Sequence, residues 1–194
     1  MLFNGVAIGT EVAGDDVAIG GDVEPSVLFV GRHEERKGLS TLLEAVTVLE
    51  KDLDYRLACH IIGRGPDTDS LRSSYADPEL FRWHGQVSES EKILLLKSAT
   101  AFVAPALRGE SFGVVLLEAM ASSTAVIASD IPGYRNVATN GIDSVLVEPG
   151  NAVELASAIK AVLTDTAYRD RLVSEGLKTA CLLYTSPSPR DSNL

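Results

Sequence analysis

The chain has 194 residues, 45% hydrophobic and 23% charged, and its 17 Lys and Arg against 27 Asp and Glu leave a formal net charge of −10. At about 150 residues per domain, that length fits one globular domain able to bury a sizeable core. The acidic balance argues against nucleic acid as a partner, since phosphate backbones are gripped by clustered Lys and Arg, but one or two well-placed cations can still hold a small phosphorylated ligand.

Residues 1–25 are rich in Gly and Asp, lack any period, and read as a linker opening on Asn4-Gly5-Val6. Regularity begins at Ser26. The apolar run Val27 to Val30 predicts a strand ending at Gly31, and Leu39, Leu42, Leu43, Val46 and Leu49 then recur at helical spacing. Arg56 to Ile62 predicts a second strand closed by Gly63-Arg64-Gly65-Pro66, followed by a polar helix over about Asp67–Tyr75 and a strand over Phe81 to Gly85. Ser88 and Glu91 form a capping box for a helix whose apolar part is Ile93 to Leu96. Strands are expected at Ala101 to Pro105, Ala125 to Asp130 and Val145 to Pro149. Helices are expected at Phe112 to Ala121, after the Asn151/Glu154 cap, and over about Ala167–Lys178. Residues 181–194, with Pro187 and Pro189, break the pattern and resemble translated sequencing-adapter sequence. The domain expected is therefore 26–180.

Strands apolar throughout, alternating with amphipathic helices, require a parallel sheet covered on both faces. The expected class is α/β, a Rossmann-like doubly wound sheet, whose ligands bind beyond the carboxyl ends of the strands. No run approaches the roughly 18 apolar residues of a membrane span, and no secretory leader is legible. Cys59 and Cys181 fit neither a disulfide framework nor a metal site. Cys59 reads as a buried hydrophobe, and a cytoplasmic setting is the default.

Three clusters follow strands. In Gly31-Arg32-His33-Glu34-Glu35-Arg36-Lys37-Gly38, Arg32 and Lys37 are spaced to reach one diphosphate, or the run is a solvated face neutralised by Glu34 and Glu35. His33 reads as a loop residue. In Gly109-Glu110-Ser111-Phe112-Gly113, glycines and the following helix start suit a phosphate. Glu118, the one charge in that apolar helix, either accepts bonds from vicinal hydroxyls or caps a buried group, and Glu110 either does the same or is a solvated loop carboxylate. Lys92 has the wrong sign for the first turn of its helix, which hints at an anionic or aromatic ligand beside a plain surface reading. His33, His60 and His84 stand in separate elements without metal-ligand spacing. A full dinucleotide fingerprint, a Walker A loop and a G-x-S-x-G elbow are all lacking.

Together, FVGRHEERKG, HIIGRGP, WHGQVSESEK, the run from FVAPALRGESFG to SDIPG, and NGIDSVLVEPGN resemble the C-terminal, donor-binding domain of retaining GT-B glycosyltransferases (glycosyl transferases group 1). The wording is nearest that of bacterial phosphatidylinositol mannosyltransferases. The resemblance spans about residues 4–180 and is most specific at Glu110 and Glu118 within GESFGVVLLEAMA. It implies a nucleoside diphosphate sugar, GDP-mannose or a UDP-sugar, with Gly31, Arg32 and Lys37 at its diphosphate. Backbone amides at Gly113 and Val114 complete that site, with Ser111 and Phe112 also among the donor-binding residues; Glu110 meets the sugar, Glu118 the ribose, and Gln86, Val87 and Lys92 the base. Arg32, Lys37 and Glu110 would carry catalysis, with no metal or other cofactor. Family members also carry an N-terminal Rossmann domain that binds the lipid or saccharide acceptor, so the expectation is a fragment inactive alone. Its complete enzyme would be cytoplasmic, at the inner face of the membrane. A standalone sugar-nucleotide module, a nucleotide-dependent epimerase and a phosphate-binding regulatory domain are the competing readings.

Overall fold

The computed structural model describes residues 24–185. The linker reading thus falls almost wholly outside the described residues, as do 186–194 of the tail. Six strands form one parallel sheet: β1 (Ser26–Val30), β2 (Ala58–Ile62), β3 (Phe81–Gly85), β4 (Ala101–Ala104), β5 (Ala125–Ser129) and β6 (Val145–Val147). Their spatial order is β3-β2-β1-β4-β5-β6. The order reverses between β1 and β4, where Val27 stands beside Ala101 and Leu28 beside Phe102. That reversal is the switch point at which doubly wound sheets bind ligands.

The central strands β1, β4 and β5 read as solid apolar runs because both faces are covered, whereas the edge strand β3 carries Arg82 and His84. On one face, α1 (Leu39–Glu50) and α6 (Ala152–Thr164) pack Leu42, Val46, Leu155 and Ile159 against Val27, Cys59 and Ile127. On the other, α3 (Glu89–Ser98), α4 (Val114–Ala121) and α5 (Pro132–Arg135) set Leu96, Leu116, Met120 and Tyr134 against Leu28, Phe102 and Val126. Cys59 is fully enclosed, as its sequence context implied, and burial pushes its thiol far above the ordinary range. The short α2 (Thr68–Ser74) follows β2.

Both expected caps are formed. Ser88 Oγ accepts the Glu91 N–H at 3.2 Å while Glu91 Oε2 accepts the Ser88 N–H at 2.8 Å, and Asn151 Oδ1 accepts the Glu154 N–H at 3.0 Å. Two expectations are corrected, and one is refined. The helix expected from Phe112 starts at Val114, because Gly113 is left-handed at φ 58° and cannot lie inside a helix. Of Ile93 to Leu96, only Leu96 is buried and Leu94 is 66% exposed, since four consecutive residues sweep most of a helix's circumference and one sector meets the sheet. The last helix, α7 (Thr166–Thr185), runs five residues into the segment read as tail. It starts on one face of the sheet, with Leu172 in the first core, and reaches the other, with Ala180 in the second.

Candidate functional site

The loops that leave β1 and β4 meet at the switch point around a cleft of about 380 Å³. After β1, a single 3-10 turn, Glu35–Lys37, swings Arg36 and Lys37 toward the β4 loop. The Lys37 ammonium is bonded to Glu110 Oε1. Arg36 Nη1 reaches the same oxygen at 3.4 Å and the Gly109 carbonyl at 3.3 Å, and its Nε lies 2.7 Å from Glu34 Oε1. Glu34 also holds Arg32, whose Nε is 3.2 Å from Oε2. Glu110 is the most enclosed of these linked residues, its side chain 14% exposed against 22% for Lys37, 25% for Glu34 and 40% for Arg36.

Backbone packing fixes where Glu110 sits. A methyl group on Gly133, in α5, would stand 1.7 Å from the Glu110 carbonyl oxygen, so the two segments touch only because residue 133 has no side chain. Val114 and Val115, the first residues of α4, line the cleft, and the first N–H groups of a helix have no intrahelical acceptor. Ser111, Phe112 and Gly113 complete that wall, with Phe112 72% exposed. Tyr134 closes the cleft from beneath. Burial, then the Glu110 carboxylate, pushes its phenol well above the usual range.

The remaining site residues of the sequence reading occupy two neighbouring depressions. Lys92 and Glu118 border one of about 310 Å³, together with Ile93, Leu96 and Tyr184. Lys92 Nζ is 2.9 Å from Glu89 and 3.3 Å from Glu118, and its pKa is raised by the hydrogen bond to Glu89 first and by Glu118 after it. The wrong-sign lysine is thus an ion-paired one. Gly31, Arg32 and Gln86 border a depression of about 290 Å³, which shares Val30 with the main cleft. Val87 packs partly buried against the second core.

Lys37, Glu110, Ser111, Phe112, Gly113 and Val114 therefore come together, Lys92 joins Glu118, and Arg32 stands apart from Lys37 in the adjoining depression. Sequence reasoning missed Arg36 and Tyr134. Arg36 is adjacent to Lys37 and was available as part of the basic run, whereas Tyr134 gave no signal ahead of the fold. His33 lies in the loop after β1, as expected, but it is buried there: it is 1% exposed, its Nδ1 lies 2.8 Å from Thr68 Oγ1, and its ring meets Trp83 edge-on at 5.7 Å. It staples the β1 loop to the β2 loop, and burial lowers its pKa. Among the described residues, no group of three or more His, Cys, Asp or Glu could hold a metal ion, and no helix is long and apolar enough to cross a membrane.

A six-stranded parallel sheet in this order, with helices on both faces and a polar cleft at its switch point, is one Rossmann-like half of the GT-B architecture. The chain belongs to the family "Glycosyl transferases group 1", which it matches over residues 21–179. It is 43% identical over 154 residues to a phosphatidyl-myo-inositol mannosyltransferase of Mycobacterium leprae, a match covering 78% of this chain and 40% of that protein. It is also 31% identical over 158 residues to an alpha-maltose-1-phosphate synthase of Mycobacterium tuberculosis, covering 76% of this chain and 41% of that one. The kinship extends beyond mannosyltransferases. The catalytic domain of cholesterol-alpha-glucosyltransferase from Helicobacter pylori superposes with a TM-score of 0.71 at 27% identity, covering 83% of this chain and 99% of that structure. The chain thus spans about two fifths of the length of these curated relatives.

Proposed function

We propose that this chain is the donor half of a retaining glycosyltransferase and binds a nucleoside diphosphate sugar between the β1 and β4 loops. The observation that carries the reading is the meeting of Lys37, Glu110 and the opening turn of α4 in one cleft. A cation, a carboxylate acceptor and backbone donors are what a sugar diphosphate needs. Lys37, with Arg32 and Gly31 from the adjoining depression, faces the diphosphate, and backbone at Ser111 to Val114 donates to its oxygens. Glu110 accepts from hydroxyls of the transferred sugar, Glu118 from the ribose, and Gln86, Val87 and Lys92 border the base. Fixed cations meet the charge that develops on the leaving diphosphate without having to reorganise.

In this structure these cations hold the carboxylates, Lys37 on Glu110 and Lys92 on Glu118. Donor binding therefore exchanges partners instead of creating charge contacts from nothing. The donor is GDP-mannose or a UDP-sugar, and the name of the 43% identical relative supports mannose. The acceptor is a lipid or saccharide, held by an N-terminal Rossmann domain of the complete enzyme, which works in the cytoplasm at the inner membrane face. Half a cleft neither excludes water nor places an acceptor, so donor binding without transfer is the expected property of these 194 residues.

Thermal unfolding with GDP and with UDP tests this. At a hundredfold excess over Kd the matching diphosphate should raise Tm by about 5 °C or more, and R32A, K37A and E118A should each shrink that rise. Unchanged melting with both diphosphates and with GDP-mannose and UDP-glucose would overturn the donor-site reading.

A further inference from the structure

Both Arg36 and Lys37 rest on Oε1 of Glu110, but they are committed to the protein in different degrees. Arg36 also spends Nε on Glu34 and Nη1 on the Gly109 carbonyl, while its own carbonyl accepts the Leu107 N–H at 2.8 Å. Its guanidinium and backbone are tied to both loops at once. Lys37 is different: among the described residues, Glu110 is the one side-chain partner of its ammonium. An arriving diphosphate draws Lys37 away by breaking a single contact, whereas taking Arg36 means breaking several. The fork of Arg keeps a fixed geometry, and the ammonium of Lys swings as a point charge on a flexible stem.

Resting on the donor-site reading, we propose that Arg36, braced by Glu34, is a positioning residue that keeps Glu110 in place while Lys37 moves from Glu110 to the donor diphosphate. Glu110 Oε2 has no hydrogen bond among the described residues, so the carboxylate is anchored through one oxygen and presents the other. Without Arg36, Glu110 depends on Lys37 alone, and each ammonium held by Glu110 is one withheld from the phosphate. Arg36 thus favours diphosphate binding without touching the ligand, and its effect passes through the Glu110 charge.

A double-mutant cycle reads this directly. GDP and UDP are titrated calorimetrically into the full 194-residue chain as wild type, R36A, R36K, E110Q and R36A/E110Q. The R36A change should weaken the binding of the preferred diphosphate about fivefold with Glu110 present, and less than about 1.5-fold in the E110Q background. R36K should restore most of the loss, and E110Q alone should bind at least as tightly as wild type because Lys37 is released. An equal R36A loss in both backgrounds would overturn the proposal, showing that Arg36 contacts the diphosphate or merely supports the fold; so would no loss in either. Wild type that binds neither diphosphate would instead remove the donor-site reading beneath it.

Discussion

His60 and His84 lie side by side on β2 and β3, with His60 Nδ1 2.8 Å from His84 Nε2 and the rings stacked 5.1 Å apart. A contact that close admits one proton between two nitrogens, so a second charge is resisted. Burial first, then the neighbouring His84 and Arg82, lower His60 to about 4, and His84 is lowered by burial and by Arg82. The sign follows from linkage: with the folded pKa below the ordinary value, the unfolded chain takes up the proton first as pH falls. Stability contributed by the neutral pair is complete above about pH 6.5 and is lost as pH drops toward about 4. Replacing His60 by Asn should flatten this part of the profile by about 1 kcal/mol, a figure discounted because the pair is partly open to water. Urea unfolding at about pH 7.5 and about pH 5 measures it. If H60N loses as much stability on acidification as wild type, the pair is not the source.

At the scale of elements, the capping box of α3 offers the cleanest test. Ser88→Ala removes the side-chain acceptor for the Glu91 N–H and should cost about 1 kcal/mol, lowering Tm by about 2–4 °C. An unchanged melting curve would mean that α3 is held by Leu96 and its neighbours alone. This cap was legible in the sequence because it is built from residues three apart, and so was the Asn151 cap. The central strands were legible too, because a sheet covered on both faces writes itself as unbroken apolar runs, and the mixed edge strand Phe81–Gly85 was bounded correctly as well. Short elements escaped. The three-residue turn Glu35–Lys37 and the four residues of α5 are too brief to show a period, yet the turn aims Lys37 at Glu110 and α5 supplies Gly133 beneath it. Pairings across the switch point escaped as well: sequence shows that Arg32, Arg36 and Lys37 share a loop, but which of them meets Glu110 depends on how β1 and β4 lie together. GESFG marked a stretch whose backbone lines the cleft, whereas the left-handed Gly113 that delays α4 by two residues appears only in the fold.

Across the whole molecule, α7 ties the two faces of the sheet together, because it carries Leu172 into one core and Ala180 into the other. Leu172→Ala should therefore cost about 2–5 kcal/mol, against less than about 0.5 kcal/mol for Val153→Ala on exposed α6 surface. Denaturant midpoints that move equally for both would contradict this account of the core. The net charge of −10 gains meaning at the same scale. Despite that acidic balance, cations are concentrated locally: the cleft draws Arg36 and Lys37 from one half of the sheet, set against Glu110 from the other. Lys37 and Glu110 are 73 residues apart along the chain. A contact of that span forms only at the cost of closing the intervening loop. The cleft is thus a consequence of sheet closure: residues 24–98 and residues 101–185 each line part of it, and it exists only where β1 lies beside β4.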